Sequence, residues 1–361
     1  MPLYRFIYFL TLAILLSGCN DTAPSPSNPA PAASPTPNEP RRVIFDTDIG
    51  GDIDDLGALH ALHVYADSGY LDIAGVMSSW AMRYHPTGID AVNTYFGRPD
   101  IPVGRYDGEV YDTKEYTWYV GTKYPADLTW EDAPTAVTLY RRLLAAAPDT
   151  SMTIIVTGRV NNIYELLHSP ADTLSPLDGM ALVRQKVKEF FIMGGSYNRV
   201  NKNEANFRWS GPGVARYVMD SVPRPVTLNG GMIGNMKDGY GTGSRLNELA
   251  EGAMMRNGYR YFFQNPPDWA PLTPSDSIPD WSIWDIITVQ LAATGVQEYF
   301  TIVDQGNLEV DEEGLTTWQP TPDGPHRYLS IKMDPNSYAD GVIEPLLLTP
   351  PRATTGGLSQ K

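Results

Sequence analysis

The densest group of chemically competent side chains in the sequence is an acidic turn, residues 46–55. It holds five carboxylates within ten residues, namely Asp46, Asp48, Asp52, Asp54 and Asp55. Capping of a following helix accounts for one or two of them, because carboxylates bond the free N–H groups of a first turn. Five mutually repelling carboxylates need a counter-charge, and a hard cation such as Ca²⁺ or Mg²⁺ would supply it. With one Cys and five His in 361 residues, oxygen ligands are favoured over thiolate or imidazole sites.

The elements around the acidic turn indicate an α/β fold. The apolar run Val43-Ile44-Phe45 precedes the turn as a strand, and Leu56, Leu59 and Leu62 follow it at helical spacing. Similar alternation continues along the chain, with predicted strands at 152–156 and 187–193 and helices at 135–147 and 162–167. We therefore predict a single domain with a mainly parallel, Rossmann-like open sheet flanked by helices. The turn then lies at the carboxyl end of a strand, where such sheets bind ligands.

Two other families share part of the acidic turn. An EF-hand loop would use its alternating aspartates, but Gly57 stands where the bidentate Glu belongs and a strand precedes the loop. A haloacid-dehalogenase-like phosphatase also begins with a strand and Asp-x-Asp, here Asp46 to Asp48. Its second motif has a counterpart at 154–157, but so many carboxylates disfavour an incoming phosphate.

Three later motifs point to a third family. Val156-Thr157-Gly158 is followed by Asn161-Asn162-Ile163; Met193-Gly194-Gly195 is followed by Asn198 and then Glu204-Ala205-Asn206; and Trp284-Asp285-Ile286 opens a helical segment. Together with the acidic turn, and in this order, they resemble the inosine-uridine preferring nucleoside hydrolase family. The resemblance extends over most of the domain, from Asp46 to Asp285.

The resemblance implies hydrolysis of the N-glycosidic bond of ribonucleosides, or of a related ribosyl compound, to free base and ribose. It implies Ca²⁺ held by Asp48, Asp55, Asp285 and the carbonyl of Thr157. Asp48 would also be the general base that activates the water bound to that ion. The implied sugar ligands are Asp54, Asn198, Glu204 and Asn206. The family further implies a role in purine and pyrimidine salvage, and homodimers or homotetramers.

Two departures from the family pattern affect the expected site. The acidic turn is two residues longer than the shorter family form, so Asp52 competes with Asp54 as the sugar ligand, and we favour Asp54. Trp284 occupies the position where many members carry a His that protonates the leaving base. Trp284 is expected to stack on the base, with Trp80, although either side chain is equally compatible with a packing role. His85 is the only plausible substitute acid.

The N-terminal segment predicts export. Residues 1–18 have the pattern of a lipoprotein signal peptide, with Cys19 as the lipid-anchored residue. Residues 19–40 form a Pro-rich tether, 41–350 the catalytic domain and 351–361 a flexible tail. Asn20 after the cysteine points to the outer membrane, so we expect a cell-envelope lipoprotein.

The net charge excludes one class of binding protein, and the tether suggests another. The formal charge of −15 excludes a basic nucleic-acid binder. The tether and the missing His suit a surface lipoprotein that binds nucleosides or ribosyl compounds without cleaving them. Release of free base distinguishes this alternative from the hydrolase.

Overall fold

The computed structural model describes residues 39–197, 204–295 and 299–352. Nine strands form one sheet in the order β3-β2-β1-β4-β5-β6-β9-β7-β8. In chain order they are β1 (Arg41–Thr47), β2 (Leu71–Ser78), β3 (Val103–Gly104), β4 (Met152–Val156), β5 (Val187–Met193), β6 (Val226–Asn229), β7 (Phe300–Val310), β8 (Thr316–Pro320) and β9 (His326–Ile331). Strand β7 pairs antiparallel with β8 and β9, and the other pairings are parallel. The predicted fold class is thus confirmed, while the antiparallel edge was not predicted.

Helices cover both faces of the sheet. They are α1 (Asp54–Asp67), α2 (His85–Tyr95), α3 (Tyr116–Lys123), α4 (Ala136–Ala146), α5 (Asn161–His168), α6 (Gly179–Lys186), α7 (Asn206–Trp209), α8 (Val214–Ser221), α9 (Met254–Gln264), α10 (Trp284–Thr294), α11 (Pro335–Tyr338) and α12 (Glu344–Leu348). Short 3₁₀ turns occupy Met236–Asp238 and Ser244–Glu248, and a π-helical turn occupies Ala339–Ile343. None of the described helices combines the length and apolarity needed to cross a membrane.

Alternate side chains of the strands enter two separate cores. In β1, Val43 and Phe45 pack into the core beneath α1, α9 and α10, whereas Ile44 packs into the core beneath α4, α5 and α8. This period-two alternation, with both faces covered, explains why the parallel strands are continuously apolar. Strands β4 and β5 have the predicted bounds, and α4 and α5 differ from prediction by one residue at each end.

Helices α1 and α10 come close together at Gly57. A Cβ atom at Gly57 would lie 2.7 Å from Ile286 Cδ1 and 2.7 Å from the Tyr259 hydroxyl. Both helices begin at the carboxyl edge of the sheet, so their spacing sets the distance between residues of their first turns.

We expect Gly57→Val to destabilise the domain by about 1–3 kcal/mol, because overpacking a filled core forces neighbouring groups to shift. The urea midpoint measures this effect. Gly252→Val is the matched control, since Gly252 is exposed and a Cβ there meets no atom within 4 Å. Equal midpoints for the two variants would contradict the close contact.

Candidate active site

The first turns of α1 and α10 bring three buried carboxylates together. Oxygen atoms of Asp54, Asp55 and Asp285 all lie within 4.8 Å of one another, and we call these residues the acidic cluster. The backbone N–H of Asp285 donates to Asp54 Oδ2 at 3.2 Å, and the Thr47 hydroxyl donates to Asp55 Oδ1. The cluster therefore joins residues that are far apart in sequence through the packing of two helices.

The electrostatics of the acidic cluster are unfavourable without a counter-ion. Burial raises the pKa of all three carboxyls well above the ordinary value, and repulsion from neighbouring carboxylates raises it further. None of the ion pairs between described residues involves these side chains. Buried carboxylates at this spacing form an all-oxygen donor set that suits a hard divalent cation.

Asp48 lies beside the acidic cluster rather than inside it. Its side chain is 8% exposed, and burial raises its pKa to about 6 while the charge of Arg159 acts in the opposite direction. Gly158 allows β4 to approach it closely, since a Cβ there would lie 2.5 Å from the Asp48 backbone nitrogen. Of the predicted metal ligands, Asp55 and Asp285 therefore meet in the cluster together with Asp54, and the roles of Asp48 and Thr157 stay predictions.

The two competing aspartates of the longer turn lie in different environments. Asp54 belongs to the acidic cluster. Asp52 Oδ1 accepts hydrogen bonds from the Ile53 N–H at 2.7 Å and from Trp281 Nε1 at 2.6 Å. The Asp52 side chain is thus held by Trp281. This contact supports our preference for Asp54 as the sugar ligand, which stays a prediction.

A second polar group lies at the ends of β4 and β5. Asn206 Nδ2 donates to the carbonyl of Thr157 at 2.8 Å and to that of Met193 at 3.2 Å. Glu204 accepts from the backbone N–H groups of Asn206 and Phe207 at 2.8 and 3.2 Å, and burial raises its pKa to about 7. The structure therefore brings Glu204, Asn206 and Thr157 together, and their roles stay predictions; Asn198 lies outside the described residues.

The aromatic residues that were predicted near the base differ in burial and in their contacts. Trp284 is half-buried, and its Nε1 donates to the Gly231 carbonyl at 3.1 Å. Trp80 is also half-buried, with the Arg159 guanidinium 4.2 Å from its ring centroid. His85 is fully buried, and burial lowers its pKa to about 3, so it carries no positive charge at neutral pH and is unsuited to be the missing acid.

Several residues that shape the site were not predicted. Tyr116, in α3, accepts from Gly50 N at 2.7 Å and donates to the Asp52 carbonyl at 2.6 Å. Asp46 is fully buried and accepts from the Tyr140 hydroxyl at 2.8 Å and from Asn162 Nδ2 at 3.0 Å. Tyr116 thus braces the acidic turn, and Asp46 is a structural member of it.

Comparisons with known proteins identify the fold. No family model matches the sequence, and no curated protein matches it. A plant nucleoside hydrolase has a TM-score of 0.59 at 18% identity, covering 86% of this chain and 100% of that one. The inosine-uridine preferring nucleoside hydrolase from Bacillus anthracis has a TM-score of 0.58 at 16% identity, covering 85% and 99%. The type III effector XopQ, in complex with adenosine diphosphate ribose, has 0.56 at 14%, covering 86% and 93%. The chain therefore has the nucleoside hydrolase fold, which confirms the predicted resemblance at the level of structure.

Neutralising one carboxylate of the acidic cluster should stabilise the cation-free protein. We expect Asp55→Asn to raise the melting temperature in chelator by a few °C, since about 1 kcal/mol corresponds to roughly 2–4 °C in a domain of moderate size. Added Ca²⁺ should stabilise the wild type by about 2.7 kcal/mol at a hundred times its dissociation constant, and the variant much less.

Asp112→Asn is the control, because Asp112 is exposed. A lower melting temperature for Asp55→Asn in chelator, or equal stabilisation of both proteins by Ca²⁺, would contradict this account of the cluster.

Proposed function

We propose that the protein hydrolyses the N-glycosidic bond of a ribonucleoside or a related ribosyl compound, releasing base and ribose. The observation that carries the proposal is the meeting of the acidic cluster, Asp48 and the Glu204–Asn206 pair at one edge of a nucleoside hydrolase fold. Two of the structural neighbours are nucleoside hydrolases, and a third is a type III effector in complex with adenosine diphosphate ribose.

The carboxylates suit the charge that develops during this reaction. Cleavage proceeds through an oxocarbenium-like ring, so fixed negative charge around the sugar stabilises the transition state more than the ground state. Asp54 and Glu204 supply carboxylate acceptors for the ring hydroxyls, and Asn206, whose Nδ2 is bonded to Thr157 and Met193, supplies its Oδ1. A cation held by Asp54, Asp55 and Asp285, with Asp48 and the Thr157 carbonyl as further candidate ligands, would orient a sugar diol and acidify water. We propose Ca²⁺ for this ion.

Asp48 is the proposed general base. In the cation-free protein burial raises its pKa to about 6, closer to neutral pH than the pKa of an exposed carboxylate. It accepts a proton from the attacking water as the water oxygen bonds to C1′ and the bond from C1′ to the base nitrogen breaks. The departing base takes a proton from solvent.

The phosphatase and EF-hand alternatives do not suit this geometry. Both use Asp46 as a functional carboxylate, but here it lies within β1, fully buried, and bonds Tyr140 and Asn162. Its side chain is therefore directed into internal contacts rather than towards a ligand.

Loss of the proposed base tests the activity. We expect the wild type to release base and ribose from at least one nucleoside of a panel in the presence of Ca²⁺, and Asp48→Asn to be about 10²- to 10⁴-fold slower. Asp72→Asn, a change at an exposed surface site, is the matched control. Binding of nucleosides without any release of base would instead support the non-catalytic alternative, and an unimpaired Asp48→Asn variant would remove Asp48 from the mechanism.

We expect the rate of cleavage to depend strongly on the leaving group, because neither residue considered for the role of general acid is suited to it. The Trp284 N–H is bonded to Gly231 and His85 is buried and uncharged, so neither is suited to protonate the base. We expect p-nitrophenyl riboside, whose leaving group needs no protonation, to be cleaved about 10²- to 10⁴-fold faster than inosine, as judged by kcat. Similar kcat values would reveal an acid at the site.

A further inference from the structure

Arg159 stands out among the residues at the carboxyl edge of the sheet, because it places a positive charge next to a strongly acidic site. It follows Thr157 and Gly158 at the end of β4 and is half-buried. Its guanidinium carbon lies 4.2 Å from the ring centroid of Trp80 and 5.8 Å from that of Trp209. We call Arg159, Trp80 and Trp209 the Arg159 rim.

The hydrogen-bonding capacity of Arg159 is unused within the described part of the chain. Its Nε is buried without a partner, and no hydrogen bond or ion pair among described residues involves its guanidinium. Aromatic rings contact a guanidinium through its face, so the in-plane N–H groups remain available. Those N–H groups form a planar fork that matches a carboxylate or phosphate.

The Arg159 rim adjoins the candidate sugar site. Thr157, two residues before Arg159, accepts a hydrogen bond from Asn206, and Trp209 ends the short helix that Asn206 begins. The charge of Arg159 also acts on Asp48. Trp209 is 49% exposed, so the rim is open to solvent on one side while the acidic cluster is buried. Arg159 is thus adjacent in sequence and in charge to residues of the candidate sugar site, and one of the two rings that flank it is exposed to solvent.

We propose that Arg159, flanked by Trp80 and Trp209, binds an oxyanion carried by the substrate, so that the preferred ribosyl compound bears a phosphate or a carboxylate. This inference rests on the ribosyl hydrolase function proposed above. The favoured substrate class is thus an anionic nucleoside derivative rather than a neutral nucleoside, and Arg159 determines that preference.

Three compounds with the same pyrimidine ring test the proposal: uridine is neutral, uridine 5′-monophosphate carries a phosphate on the sugar, and orotidine carries a carboxylate on the base. We expect kcat/KM of the wild type with Ca²⁺ to be about 10- to 100-fold higher for one of the two anionic compounds than for uridine, as a charged hydrogen-bonded pair provides. The favoured compound identifies which oxyanion is recognised.

Substitutions isolate the contribution of Arg159. Arg159→Gln should bring the ratio of anionic to neutral kcat/KM close to one, and Arg159→Lys should retain part of it because the charge remains without the planar fork. Arg216→Gln is the control for net charge; Arg216 is exposed on α8 and paired with Glu312, and its loss should leave the ratio unchanged.

Three outcomes would overturn the proposal: no preference for either anionic compound in the wild type, an undiminished ratio in Arg159→Gln, or an equal loss for all three compounds. The last result would mean that Arg159 only balances the charge of Asp48. Calorimetric binding of the same compounds separates this inference from the proposed function. If nothing is hydrolysed but an anionic compound binds more tightly than uridine, and Arg159→Gln removes that difference, the hydrolase function fails while the oxyanion site stands.

Discussion

The constraint on which the site depends is the burial of three carboxylates within 4.8 Å of one another. Burial and mutual repulsion both raise their pKa values, so this arrangement opposes folding unless a cation or another compensating charge is bound. The rest of the local structure keeps the carboxylates in place despite this cost. Helices α1 and α10 fix the backbone of the cluster, Thr47 bonds Asp55, and Tyr116 and Trp281 hold the turn between β1 and α1.

The sheet brings the remaining functional groups to the same edge. Parallel strands β1, β4 and β5 end side by side, which places Asp48, Thr157 and the Glu204–Asn206 pair at the same edge as the acidic cluster. The carboxyl edge of an open parallel sheet is where such folds bind ligands. The chemistry of the acidic cluster is compatible with the function proposed above, and the fold is that of nucleoside hydrolases.

The sequence was sufficient to predict the central strands and to select most residues of the candidate site. Apolar runs marked β1, β4 and β5, and motif order marked Asp54, Asp55, Glu204, Asn206 and Asp285. Contacts between segments that are distant in sequence could not be predicted. The bond of Trp281 to Asp52, the brace from Tyr116 and the stacking of Arg159 on Trp80 all require the folded chain. Helix α3 and the antiparallel strands β7–β9 were not predicted from the sequence. The lipoprotein segment and Asn198 lie outside the described residues and stay predictions.

The proposed function requires a cation, held by the acidic cluster, that contacts the ribose of the substrate. A crystal structure of the protein with Ca²⁺ and a ribose-like iminium or protonated iminoribitol inhibitor, with the ion identified by anomalous scattering, tests it most directly. The account predicts one ion bound by Asp54, Asp55 or Asp285 carboxylates and by two hydroxyls of the inhibitor, with Asp48 adjacent. An inhibitor bound elsewhere, or a cluster without an ion at saturating Ca²⁺, would contradict it.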